Sequence, residues 1–271
     1  MRIVSFNING VRARPHQLEA LRDTYDPDVI GLQETKVNDP DFPLEMIQEM
    51  GYHVRFYGQK SHYGVALLSK EEPVDAILGL PSDDDDAQRR LITGTYKTPK
   101  GEQLTVINGY FPQGESRDHE TKFPHKKRFY EELQALLKSQ YSAEQALMVI
   151  GDVNIAPQDT DIGIGDSNMK RWLRDGKCSF LPEEREWFER LQGWGLHDTF
   201  RTVHPSVDNV FSWFDYRSKG FNADHKRGLR IDVLLATAML NDKVKDAGVA
   251  YDLRGMEKPS DHAPIWVDLD I

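Results

Sequence analysis

Short apolar runs that climb into polar residues recur along the chain. Leu147-Met148-Val149-Ile150 ends in Gly151-Asp152-Val153-Asn154, the pattern of a buried strand delivering polar groups to one place. Side chains two apart in an extended chain share a face, so Asp152 and Asn154 are expected to point together. Gly151 allows a backbone or ligand to approach closely. Taken alone, the motif reads more simply as a strand closing in an Asx-rich turn.

The first strand is read at residues 2–8, with Ile3, Ser5 and Asn7 on one face and Val4, Phe6 and Ile8 on the other. Pro15 opens a helix carrying Leu18, Leu21 and Tyr25. Residues 29–32 form a second buried strand ending in Gln33-Glu34-Thr35, and a helix from Pro43 stops at Gly51. Strands are expected at 52–57 and 63–69, and a hairpin at 91–96 and 103–110. Helices follow at 124–139, 169–174 and from Pro182 onward, where an acidic first turn suits the helix dipole. Further strands are expected at 210–216, 229–236, 245–251 and 264–270. Crossovers mixed with hairpins predict two mixed sheets with helices outside, in a single domain over residues 1–271.

A hydrophobic content of 39% supports a sizeable core. With Cys178 as the one cysteine, no intramolecular disulfide is possible, and a reducing, cytoplasmic setting is the expectation. The N-terminus has no apolar leader pattern, and no apolar run reaches membrane-span length, so no membrane partner is expected. The net charge of -10 argues mildly against a general nucleic-acid binder. Carboxylates gathered around a cation distort that sum, because their metal is left out of it. The basic groups Arg12/Arg14, Lys122/Lys126/Lys127/Arg128, Lys170/Arg171/Arg174 and Lys226/Arg227/Arg230 read most simply as solvated faces, and Asp83–Asp86 as an exposed loop.

Strands also end in polar groups at Asn7, Glu34, Asp232 and Asp261. Oxygen ligands converging from several strand ends are what a hard divalent cation requires. Magnesium, which uses few carboxylates and takes other ligands from water and phosphate, implies phosphoryl chemistry. His262 beside Asp261 adds a donor for a phosphate oxygen. Asp232 lies inside an apolar run and must be paired if buried; His262 is the expected partner.

The segments Ser5-Phe6-Asn7-Ile8-Asn9-Gly10, Leu32-Gln33-Glu34-Thr35-Lys36, Asn108 to Gly114, Gly151 to Asn154, Arg230-Ile231-Asp232 and Ser260-Asp261-His262 closely resemble the endonuclease/exonuclease/phosphatase superfamily. Phe211 to Arg217 and Cys178 to Arg185 point to its exonuclease III branch, and the ordered resemblance covers nearly the whole chain. It implies a deoxyribonuclease I-like four-layer α/β/β/α sandwich with the active site at one end of two facing sheets. The implied activity is DNA repair: Mg2+- or Mn2+-dependent phosphodiester hydrolysis, incising 5′ to abasic sites and clearing 3′ ends of duplex DNA. By motif, Glu34 is the main metal carboxylate, with Asn7 and Asp261 lining the metal region. Asp152 is the base or a ligand of a second ion, and Asn154 positions water and phosphate and belongs to the metal region as well. Asp232 orients His262, and Tyr110 contacts the phosphate. The resemblance also implies that Trp213 and Phe214 line a pocket for a flipped-out abasic sugar, although adjacent aromatics in a strand are also what a core supplies. Gln113, Arg117 and Lys122 are candidate phosphate or minor-groove contacts. A monomer is expected.

Two other functions fit parts of this pattern. A phosphatase acting on lipids or small esters would share the metal machinery without needing Ser212-Trp213-Phe214. A catalytically silent nucleic-acid-binding module would be expected to lack one or more of Glu34, Asp152, Asn154 and His262, and all four are present.

Overall fold

The first apolar run forms β1 (Arg2–Asn7), and α1 (Pro15–Tyr25) carries the chain back to β2 (Val29–Gln33), which lies parallel to β1. Residues 1–271 are described here by a computed structural model. After α2 (Leu44–Glu49) come β3 (His53–Tyr57), β4 (Val65–Ser69), β5 (Asp75–Leu78), β6 (Leu91–Lys97) and β7 (Gln103–Tyr110). The long helix α3 (Lys122–Gln140) then returns the chain to β8 (Leu147–Asp152), parallel to β7. The remaining elements are α4 (Asp166–Arg174), α5 (Pro182–Gly193), β9 (Leu196–Asp198), α6 (Thr199–Val203), β10 (Asp232–Thr237), α7 (Ala238–Asn241), β11 (Val244–Val249), α8 (Tyr251–Arg254) and β12 (Ile265–Leu269).

Two six-stranded sheets result, ordered β11-β12-β1-β2-β4-β3 and β5-β6-β7-β8-β10-β9. Each holds one parallel pair joined by a helical crossover, and every other pairing is antiparallel. Strand alternation sorts the side chains. Ile3, Val29, Val106, Met148, Ile150, Leu234 and Val267 meet between the sheets. The opposite parity packs outward: Val4, Phe6 and Ile30 with the Leu18 and Leu21 face of α1, and Leu147, Val149 and Val233 with Phe129, Leu133 and Trp187 of α3 and α5. This is the four-layer sandwich expected from the sequence.

Residues 210–216 depart from expectation, because they form no strand. Trp213 bridges Leu229 on one side and His262 on the other. The neighbouring Ser212 hydroxyl accepts the Ile231 and Asp232 N–H groups at 3.1 Å each, so the segment is stitched between elements and joins no ladder. Two of the basic residues taken as solvated are buried. Lys126 is paired with Glu184 at 2.5 Å, and Arg230 is held by Asp161 and Asp198 at 2.7 Å each. A buried cation needs such partners.

Candidate active site

The parity that builds the inter-sheet core also builds the site. Positions 3, 5 and 7 of β1 face inward, as do 104 to 110 of β7, 148 to 152 of β8 and 232 to 236 of β10, counted by twos. Each series ends in a polar group at the same pole: Asn7, Tyr110, Asp152 and Asp232. Beneath them Gln33 Nε2 donates to Ser5 Oγ at 3.0 Å and to Asn108 Oδ1 at 2.6 Å, a buried polar layer that closes the apolar core. Glu34 should point outward by parity. Its left-handed backbone, φ +52°, turns it back toward the cleft. Asn9, Lys36 and Asn154 share that conformation, at φ +49°, +56° and +53°. Such residues cost about 1–3 kcal/mol each and persist only where the surroundings over-determine them. Gly151, at φ +141°, is required for a different reason: a Cβ there would collide with the Gly109 carbonyl across the β7–β8 pair.

Asn7 Nδ2 donates to Glu34 Oε1 and Asp152 Oδ2, at 2.9 Å each, and so bridges the two sheets. Lys36 Nζ lies 2.8 Å from Glu34 Oε2. Asp152 Oδ1 accepts the Asn154 N–H at 3.0 Å, while Asn154 Nδ2 donates to the Phe111 carbonyl at 2.9 Å. Asp232 stands opposite Asp152 in the β8–β10 register. Its carboxylate receives His262 Nδ1, 2.8 Å from Oδ2, which is the pairing expected from the sequence. With Nδ1 engaged there, Nε2 faces Asp152 Oδ2 at 3.7 Å. The Ser260 hydroxyl donates to the Asn7 carbonyl at 2.7 Å and accepts the His262 N–H at 3.2 Å.

Burial pushes the Asp152 carboxyl up to about 7; His262 opposes that rise, and the nearby Asp232 and Glu34 charges add to it. Burial disfavours the charged imidazole of His262, but Asp232, Asp152 and Asp261 outweigh it and raise the His262 pKa, so the ring is held as a cation. Burial, then Glu34, keeps the Tyr110 phenol protonated well above the usual range. One ligand atom from each of Glu34, Asp152 and His262 lies within 4.8 Å of the others. The two carboxylates suit a hard divalent cation that completes its shell with water and phosphate. The imidazole, committed to Asp232, faces the same volume as a donor.

Of the two residues expected to line the metal region, Asn7 touches both Glu34 and Asp152, whereas Asp261 is tied to Asn9 and Trp213. Asn7 Oδ1 accepts the Asn9 N–H at 3.1 Å. Asp261 lies outside the cluster, where its oxygens accept Asn9 Nδ2 at 2.8 Å and Trp213 Nε1 at 3.1 Å. Asn9 Oδ1 in turn accepts Lys36 Nζ at 2.5 Å.

Trp213 borders a cleft of about 180 Å3 with Asn168, Arg171, Trp172 and Arg227. Phe214 does not reach it: the ring is fully buried against Phe221 and Tyr251, with centroids 5.1 and 5.9 Å away. The pair expected to line one pocket is therefore split between surface and core. Arg117 and Lys122 lie at the surface, paired with Glu183 and Glu115 at 2.5 Å each, and Gln113 Oε1 accepts the Glu115 N–H at 2.7 Å. Sequence reasoning missed Arg90, a buried guanidinium whose carbon lies 4.5 and 4.7 Å from the Tyr63 and Tyr110 ring centroids and whose Nη1 donates to the Tyr110 carbonyl at 2.9 Å. Nothing in its local pattern marks it, since the rings that enclose it come from other elements. A cavity of about 530 Å3 lies at the opposite pole, beside Met1, Val29 and Tyr96, away from this chemistry.

Two facing mixed sheets with an Asp–His–carboxylate cluster at one pole define the deoxyribonuclease I-like class. The chain belongs to the endonuclease/exonuclease/phosphatase family, whose model matches residues 4–262, and within it to the exonuclease III group. It is 59% identical over 268 residues to exodeoxyribonuclease III of Haemophilus influenzae, covering 99% of each chain. Its fold matches the 3′ phosphatase NExo from Neisseria bound to a product DNA hairpin, at TM-score 0.90, 36% identity and 100% coverage of both chains. It also matches an AP endonuclease from Archaeoglobus fulgidus, at TM-score 0.90 and 33% identity, again over 100% of both chains.

Proposed function

We propose that this chain is a DNA-repair nuclease that hydrolyses duplex DNA phosphodiesters, incising 5′ to abasic sites and removing nucleotides and phosphates from 3′ ends. The carrying observation is the convergence of Glu34, Asp152 and the Asp232–His262 pair at one pole, in a chain similar over its full length to exodeoxyribonuclease III. Mg2+ is the metal we assign to the Glu34 carboxylate, with Mn2+ able to replace it. When bound, it stabilises charge on the phosphate oxygens.

The protein's own groups do the rest. Asp152, with its pKa raised toward neutrality, accepts the proton of the attacking water. Asn154 is anchored by both its N–H and its Nδ2, which leaves Oδ1 to aim that water. His262 Nε2–H donates to a non-bridging phosphate oxygen, and Asp232 keeps the ring charged and oriented. Tyr110 stays protonated and donates toward the phosphate or the leaving oxygen. The exposed pairs of Arg117 and Lys122 are weak enough to exchange carboxylate for DNA phosphate, beside Gln113. Trp213, at its cleft, receives the abasic sugar, which is cheaper to unstack than an intact nucleotide. No helix is long and apolar enough to cross a membrane. We assign the protein to the cytoplasm as a monomer.

A labelled duplex carrying one abasic-site analogue tests this reading. Incision 5′ to the lesion is expected with Mg2+, lost on chelation and restored by added metal. Absence of metal-dependent incision would sink the assignment. For the cleft, Trp213→Ala is expected to lower abasic-site incision by about tenfold or more, as loss of one stacking surface worth ~1–3 kcal/mol permits, while affecting 3′-phosphate removal less. Phe214→Ala should instead cost about 3–5 kcal/mol of stability and reduce both activities together. Parallel thermal melts and the two assays separate these outcomes, and equal loss of both activities in Trp213→Ala would remove the pocket role.

A further inference from the structure

Lys126 is a buried cation that the mechanism above does not use. It projects from α3 with no solvent exposure, and its ammonium has three acceptors for three hydrogens. Glu184 Oε1 lies at 2.5 Å, the Asn154 carbonyl at 2.8 Å and the Gln113 carbonyl at 3.3 Å. The other Glu184 oxygen is equally committed, accepting the Ser179 and Leu181 N–H groups at 2.8 Å each at the start of α5. Gly114 runs directly over the lysine stem, since a Cβ there would lie 2.9 Å from Lys126 Cδ. One ammonium therefore ties together the loop that follows Asp152, the loop that follows Tyr110 and the start of α5.

A buried ammonium needs acceptors for all three hydrogens whatever its role, and replacing a buried ion pair by apolar groups is often neutral, so what distinguishes this lysine is where its acceptors lie. This lysine spends its other two hydrogens on carbonyls beside the reacting centre. Asn154 holds a left-handed backbone, φ +53°, which asparagine reaches more readily than most non-glycine residues but which its neighbours must still hold in place. Its N–H is taken by Asp152 and its carbonyl by Lys126, so the peptide is held from both sides while the side chain is anchored to Phe111.

We propose that the Lys126–Glu184 pair is a positioning device for the reaction: it fixes the backbone of Asn154, and with it the aim of the Asn154 side chain and the Asp152 oxygen that accepts the Asn154 N–H. Lys126 touches neither DNA nor water in this role and acts through Asn154. The inference rests on the assignment of Asn154 to the water and phosphate.

The test is a double-mutant cycle. Lys126→Met with Glu184→Gln removes both charges, leaves no buried ion unpaired, and deletes the bonds to the Asn154 and Gln113 carbonyls. In the metal-loaded enzyme on an abasic duplex, kcat is expected to fall about 10- to 100-fold, the scale of a small misplacement of a reacting group, with KM within about twofold. In an Asn154→Ala background the same pair of changes is expected to add little. Unchanged kcat with a lowered melting temperature, or a full additive loss in the Asn154→Ala background, would overturn the proposal. If Asn154→Ala alone keeps wild-type turnover, the assignment of Asn154 has failed instead. Should the doubly neutralised chain not fold, Lys126→Arg keeps a cation against Glu184 but cannot direct three tetrahedral hydrogens to the same oxygens. It should reproduce the fall in kcat at constant KM, and wild-type kcat in that variant would count against the proposal.

Discussion

Replacing Asp152 by Asn is expected to leave duplex binding within about threefold while cutting turnover about 10²–10⁴-fold, the range for loss of a positioned acid–base group. The substitution is nearly isosteric, and the amide oxygen can still accept from Asn7 Nδ2 or from the Asn154 N–H, each about 3 Å away. The fold should therefore hold. The change removes a carboxylate able to take a proton near neutral pH and one of two negative charges facing the metal volume. Gel-shift affinity and single-turnover incision, measured on the same preparation, decide the matter. A loss of affinity matching the loss of rate would make Asp152 a structural residue.

Asp232→Asn is expected to cost about 10²–10⁴-fold in turnover as well, without Asp232 touching the DNA. The carboxylate accepts His262 Nδ1–H through both oxygens, at 2.8 and 3.1 Å, and is the first of the carboxylates that raise the ring's pKa. An amide can turn its NH2 toward the ring, which favours the tautomer with Nδ1 unprotonated and weakens the positive charge that Nε2 presents to a phosphate. His262→Ala should give a loss of similar size, and the double variant little more, because both act through one group. NMR titration of the His262 ring should show a lower pKa in Asp232→Asn. A variant with wild-type turnover, or an imidazole titrating as before, would reduce the pair to a packing contact.

Much of this site is written in the sequence because alternation continues past the core. Met148 and Ile150 identify the inward face of β8, and Asp152 lies two residues further along it; Asn7, Tyr110 and Asp232 follow by the same count. Glu34 breaks the rule through a local backbone turn that no periodicity encodes, so the strand-end pattern marks the residue but not the direction in which it points. The fates of Lys126 and Arg230 were illegible for another reason. Whether a cation is solvated or buried depends on carboxylates 58 and 69 residues away, and nothing near either residue announces them. Residues 210–216 look like a strand because they are aromatic-rich, yet their bridges lead to two different partners. The short β5 and β9 escaped because three or four residues are too few to establish a period.

The sheet order carries a last consequence, for the timing of synthesis. β1, the first strand made, lies between β2 and β12, the last, so one flank of the opening strand stays unpaired until almost the whole chain has been translated. By then Glu34 and Asp152 have long been available, but the imidazole that completes the cluster arrives at residue 262, three residues before β12. A chain cut short before residue 262 would hold the acidic half of the cleft without this imidazole, and on the proposed mechanism it is expected not to cut DNA.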